Sequence, residues 1–162
     1  MQGLSSDPLA AGTPEAASAP LPWRVLLDTH VLLELWLFRQ PALQGLATAL
    51  QQGRLQWWAS QPMLDELAHV RTRPWEPRWV PQPELHAPER LCTLRPIPAN
   101  PAPWRCRDPD DQKFLDLACA EAPIRLWSRD RALLHWRKRA LARGILIETP
   151  EAGWAAWQQE HS

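Results

Sequence analysis

Short apolar runs alternate with helix-length segments along most of this chain, and that alternation restricts the fold more than any other feature. The runs are Arg24 to Leu27, LQWWAS at 55–60, Ile124 to Trp127 and Ile145-Leu146-Ile147, with a brief further strand fed by Leu94 to Ile97. Between and after them come VLLELWLF, PALQGLATALQQG from Pro41 to Gly53, a segment from Gln61 to Val70, QKFLDLACA, RALLHWRKRALARG and EAGWAAWQQ. Strand–helix alternation is the pattern of a parallel sheet covered on both sides. The chain therefore reads as an α/β fold with a central, mostly parallel sheet. Its 162 residues suit one domain with a real core.

The acids fall at the joints of this pattern. Asp28 follows the first run and precedes a helix, the place where open α/β sheets bind ligands. Either Asp28 or Thr29 can also simply cap that helix. Asp130 repeats the arrangement after Leu126-Trp127-Ser128-Arg129. Glu66 lies on the Gln61–Val70 helix beside its apolar stripe, placed for a cleft or for a local pair with an arginine; Ser60 is the cap read for that helix. Asp108-Pro109-Asp110-Asp111 opens the helix QKFLDLACA, with Asp108 as N-cap and Pro109 at the first helical position. First-turn acids stabilise a helix, but three in four residues exceed what capping needs. Like charges this close repel, and a bound cation relieves them.

Charge and composition set outer limits. Eighteen basic residues balance eighteen acidic ones, so global charge steers no polyanion and any nucleic-acid surface must be local. From Arg125 to Arg143 there are seven basic residues and one acid, either a solvated helix face or a phosphate-binding flank. Residues 71–105 are rich in proline and tryptophan, with no regular element longer than a turn before a short helix in Glu84 to Leu94. Arg71, Arg73, Arg78, Trp75 and Trp79 there can form a stacking and phosphate surface or a docking face for a protein. Eleven tryptophans exceed what such a core needs, which places some of them on a surface or interface. Trp154 and Trp157 share a helix face and should pack that helix on the sheet. The three cysteines fit neither a disulfide framework nor a zinc site. No apolar run approaches a membrane span, and no secretory signal opens the chain, so a cytoplasmic location is expected. Residues 1–22 read as a disordered lead-in, and 23–158 as the folded domain.

Taken together, VLLDTHVLL, ASQPMLDELAHV, RDPDDQKFLDLA, LWSRDRALL and GILIETPEAGWAAW resemble the PIN domain family, especially the toxin components of bacterial toxin–antitoxin pairs. The third block is the most specific match. The resemblance implies a Rossmann-like three-layer fold. It also implies a metal-dependent ribonuclease whose Asp28, Glu66, Asp111 and Asp130 converge on Mg²⁺ or Mn²⁺ at one end of the sheet. Asp28, Asp111 and Asp130 are then the principal ligands, and Glu66 binds directly or through water. Thr29 and Ser128 orient carboxylates or waters; Asp110 and Asp108 stand behind them, Asp108 mostly as a cap; Arg129 and Arg131 touch substrate phosphate. The implied partners are RNA, a cognate antitoxin and, in some members, a second copy of the chain.

Two departures mark this sequence. His30 stands where the family often has Asn, and the 71–105 segment is unusual in composition. Two other functions remain in play. One is a non-catalytic module of the same fold that docks partners through its tryptophans; the other is a nuclease directed at DNA. A phosphotransfer receiver is disfavoured, because the only lysines, Lys113 and Lys138, lie on helices rather than after a strand.

Overall fold

The computed structural model describes residues 21–162. Five strands form one sheet: β1 (Trp23–Leu27), β2 (Leu55–Ser60), β3 (Cys92–Arg95), β4 (Ile124–Trp127) and β5 (Ile145–Glu148). Their order is β3-β2-β1-β4-β5, and every pairing is parallel. The expected mostly parallel sheet is thus wholly parallel. Val25, Leu26 and Leu27 are all buried, which requires cover on both faces and explains why β1 is a continuous apolar run rather than an alternating one.

Among the described residues seven helices connect or follow the strands: α1 (Thr29–Trp36), α2 (Leu46–Gln51), α3 (Gln61–Arg71), α4 (Gln112–Ala120), α5 (Arg131–Leu134), α6 (Arg137–Leu141) and α7 (Pro150–Glu160). Two of them correct the sequence reading. The continuous helix expected from Pro41 to Gly53 is a 3-10 turn, Pro41–Leu43, then α2. The break is at Gly45, whose φ of +91° favours glycine and whose Cα lies so near the Trp154 indole that a Cβ would come within 3.2 Å of it. The helix expected from Arg131 to Gly144 is split into α5 and α6, and at the split the Trp136 indole turns to stack on Trp104, centroids 6.1 Å apart.

The stretch between α3 and β3 is irregular apart from two 3-10 turns, Pro83–Leu85 and Pro88–Arg90, in place of the short helix expected there. The strand expected from Leu94 to Ile97 begins two residues earlier, at Cys92. Trp57 and Trp58 point to opposite faces, Trp57 into the core. Trp58 is half-buried, with Arg24 and Arg95 over its ring at 4.6 and 4.8 Å. Trp154 and Trp157 stack at 5.0 Å and are both buried. Trp23, Trp58, Trp75, Trp79 and Trp136 are half-buried and reach the surface in part, and the other six tryptophans are buried. Trp75 and Trp79 fold back against Phe38, edge to face at 5.6 and 5.0 Å. The lead-in expected at residues 1–22 lies, except for Leu21 and Pro22, outside the described residues. No described helix is long and apolar enough to cross a membrane.

Candidate active site

The strand order fixes where a ligand can sit. From β1 the chain moves outward to β2 and β3, then returns to place β4 on the other side of β1. The loops leaving β1 and β4 therefore part in opposite directions, and a crevice opens at the carboxyl ends of these two strands. Asp28 leaves β1 there and Ser128-Arg129-Asp130 leave β4. The two strand ends are tied where the Asp28 N–H donates to the Trp127 carbonyl at 3.1 Å.

A cleft of about 390 Å³ occupies this crevice, and Asp28, Glu66, Asp111 and Asp130 all line it. Glu66 comes from α3, and Asp111 ends the 3-10 turn Pro109–Asp111 that leads into α4. The four acids foreseen from sequence thus share one cleft, together with Thr29, His30, Arg73 and Arg129.

Each carboxylate has its own partners. Asp28 sits at the N-cap position of α1 but makes no capping bond. Its Oδ2 accepts instead from the fully buried Ser128 hydroxyl at 2.6 Å, and Ser128 Oγ in turn accepts the Asp130 N–H at 2.9 Å. Burial pushes the Asp28 carboxyl above its ordinary value, Ser128 opposes this, and the nearby Glu66 and Asp130 add to the rise. Asp130 does cap its helix, accepting from the Ala132 N–H at 2.8 Å. Glu66 accepts from the Thr29 hydroxyl and pairs with Lys113 Nζ at 2.9 Å. Ser60, expected to cap α3, makes no capping bond.

The most compact group is Asp108, Asp111 and Asp130, which offer carboxylate oxygens within 4.8 Å of one another. Asp111 is pushed up to about 8, first by burial, then by a hydrogen bond to Asp130 and by the charges of Asp28, Asp130 and Asp108. Asp130 is held below its ordinary value, chiefly as the acceptor of that bond, with help from the Ala132 N–H and Arg107. Two carboxylates at this distance need a proton or a cation between them. Asp111 Oδ2 is moreover buried with no hydrogen-bond partner, an arrangement that costs stability unless something occupies it. Oxygen-only donors, several ionised, suit a hard divalent ion, so these residues fit such a cation.

Several side chains stand elsewhere than expected. Asp108 is the N-cap, as expected, accepting from the Asp110 N–H at 3.0 Å, but it also joins the compact group. The Asp110 carboxylate is in neither that group nor the cleft lining. Arg129, expected to face phosphate, turns to carboxylates: its Nε donates to buried Glu34 at 2.7 Å and its guanidinium grips Glu151. Arg131 lines a neighbouring cleft. In the 71–79 stretch, Arg71 donates to the Leu85 carbonyl and Arg78 pairs with Glu76. Only Arg73 and Val70 bring that region to the cleft. Lys113 and Glu34 escaped the sequence reading. Both break a local rule, a cation in the first turn of a helix and an acid inside an apolar helix, and such breaks mark sites.

The sequence profile of the PIN domain matches residues 24–132, more than half of the chain. The chain belongs to the PIN domain family. Its fold is therefore a nuclease fold, of a family that generally works with divalent metal. No curated protein matches the chain.

Proposed function

We propose that this protein is a metal-dependent endoribonuclease and the toxin of a toxin–antitoxin pair. The observation that supports it most is the meeting of Asp28, Glu66, Asp111 and Asp130 in one cleft with a buried, unpartnered oxygen on Asp111. The toxin role rests on the resemblance of the sequence blocks, and a cognate antitoxin and a homodimer are proposed with it. Asp111 and Asp130, with Asp28 and Asp108 beside them, would hold Mg²⁺ or Mn²⁺. That cation would cancel the carboxylate charge that repels a phosphodiester and supply Lewis acidity to its hydrolysis.

The remaining steps belong to the chain's own side chains. Ser128 fixes the Asp28 carboxylate, and through the Asp130 N–H it couples the loop after β4 to the end of β1. Thr29 and Lys113 hold Glu66 from two sides, so its carboxylate cannot swing freely. Lys113 also leaves less negative charge for an incoming phosphate to meet. Asp111, raised towards neutrality, holds a proton in the metal-free cleft, and a cation bound there would take that proton's place. Arg129, at the cleft wall, is a positioning residue that ties α1 to α7.

Purified protein is incubated with single-stranded and structured RNA, with Mn²⁺ or Mg²⁺ and with chelator, alongside the Asp28→Asn/Asp111→Asn variant. Cleavage that requires metal and vanishes in the variant is expected. Absence of metal-dependent cleavage of any RNA by a folded, antitoxin-free sample would sink the proposal, and cleavage of DNA alone would move it to the deoxy substrate. Growth arrest on expression, relieved by the same variant, tests the toxin role.

A further inference from the structure

Beside the acidic cleft lies a second one, of about 510 Å³, with the opposite character. It is lined by Arg105, Arg107, Arg131, His135, Trp136 and Arg137, with only Ala132 and Leu134 besides, and no carboxylate contributes to its wall. The two clefts adjoin through the backbone: Arg131 follows Asp130, and Arg107 precedes Asp108. We propose that this basic cleft seats the single-stranded RNA segment that runs on from the scissile phosphate. This assignment rests on the ribonuclease reading of the acidic cleft.

Three features carry it. The first is unspent charge. Arg95, Arg125, Arg129, Arg78 and Lys113 are all engaged by carboxylates. Arg105, Arg107 and Arg131 make no ion pair or hydrogen bond among the described residues, and Arg137 has only a 3.4 Å contact to the Leu134 carbonyl. Four unpaired guanidinium groups around one concavity repel each other, and a row of phosphates is the ligand that relieves this.

The second feature is a prepared wall. From Trp104 to Arg107 burial alternates, Trp104 and Cys106 inward, Arg105 and Arg107 outward. The segment is stapled to α4. Gln112 accepts the Cys106 N–H at 2.6 Å and donates to the Trp104 carbonyl at 2.9 Å, while Asp116 accepts the Ala102 N–H at 2.7 Å. The helix that follows Asp111 thus also fixes the arginines, so both clefts keep one register. The third feature is Trp136. It is half-buried, backed by Trp104 at 6.1 Å and 19°, flanked edge-on by His135 at 4.9 Å, and has the exposed Arg139 guanidinium over its ring at 5.3 Å, a side chain a stacking base would have to displace. An indole held this way among phosphate ligands offers a stacking platform to an unpaired base. Paired bases in a duplex present no free face, which is why a single strand is the fitting ligand.

The test compares two charge-matched pairs in the full-length protein: Arg131→Ala/Arg137→Ala in the cleft, and Arg90→Ala/Lys138→Ala, exposed and outside it. Binding of an end-labelled single-stranded RNA is followed by anisotropy in chelator across a salt series, and KM and kcat are measured with Mn²⁺. The cleft pair is expected to weaken binding about tenfold or more and to lower the salt slope by about 1.4, two contacts at about 0.7 each. It should raise KM with little change in kcat, while the control pair leaves all of these near wild type. Arg131→Lys/Arg137→Lys should restore the slope, which separates charge from misfolding. Trp136→Leu should weaken binding about tenfold with the slope unchanged. Equal effects of the two pairs on Kd and KM, or no RNA binding with KM indifferent to both, would overturn the assignment and leave the arginines to an acidic protein segment. Cleavage by wild type with equal effects of the pairs would defeat this assignment alone. Binding through the cleft without cleavage would defeat the ribonuclease reading alone.

Discussion

The acidic cleft and the sheet face beneath α7 are both rich in charge, yet they treat it in opposite ways. Under α7 the charges are paired. Arg125 bonds Glu148 at 2.9 Å and lies over the Trp23 ring at 3.3 Å, the Trp127 indole N–H donates to Glu148 at 3.1 Å, and Trp23 donates to Glu160 at 2.8 Å. At the carboxyl ends of β1 and β4 the opposite holds: Asp108, Asp111 and Asp130 crowd together, and one oxygen of Asp111 is left unpartnered. Charge that is satisfied holds the fold; charge that is left frustrated marks where something else binds.

Replacing an acid of the cleft breaks the comparison most sharply. Asp111→Asn should lower cleavage on the order of 10²-fold or more, the scale of losing a group that stabilises transition-state charge. It should at the same time raise the melting temperature of the metal-free protein, because Asp111 must take up a proton to be buried there and Asn needs none. Activity assays and thermal melts on the same preparation check both. A variant that lost activity and stability together would place Asp111 with the structural charges instead.

The opposite pattern is expected under α7. At Gly153 an added Cβ would lie 2.2 Å from the Trp127 indole, and that indole is buried and cannot easily move. Gly153→Ala should cost about 1–3 kcal/mol or more, the range of an overpacked core, read from denaturant midpoints. Specific activity below the lowered melting temperature should be unchanged.

Acidity distinguishes the two regions more gently. Asp111 titrates near 8 in the folded protein against 3.8 ordinarily, so between those values the folded chain keeps a proton that the unfolded chain releases. Its contribution to stability is full below the ordinary value and is lost as pH rises towards 8. Asp28, also raised, acts in the same direction. Asp130, held down, acts oppositely, and its contribution is lost as the solution becomes strongly acidic. Melting temperatures in chelator should therefore fall as pH rises from weakly acidic to about 8, with a flatter profile in Asp111→Asn. Saturating Mn²⁺ should flatten or invert the wild-type profile, since a cation displaces that proton.

The smallest effect is expected at Arg125. Arg125→Ala removes a half-buried pair and a contact with Trp23, together worth about 1 kcal/mol, with cleavage unaffected. A fall in activity there would join the α7 face to the function.

Local sequence determined much of this. Period and length marked β1, β2, β4 and β5 within a residue, because buried parallel strands are continuous apolar runs of limited length. Asp28 and Asp130 were legible because each sits at a strand–helix joint that the fold brings to one end of the sheet, and the 108–111 turn because it is dense in acids; the choice of Asp111 within it, and of mid-helix Glu66, rested on the family resemblance. Tertiary structure decided the rest. At Gly45 a left-handed backbone breaks the helix, and the Trp154 indole from a distant helix lies against it where a side chain would crowd. Arg129 and Arg131 look alike in sequence, yet the first is drawn to Glu34 and Glu151 and the second is left unpaired in the basic cleft. Which charges meet is a matter of distance between elements far apart in the chain, and local propensity carries no term for it.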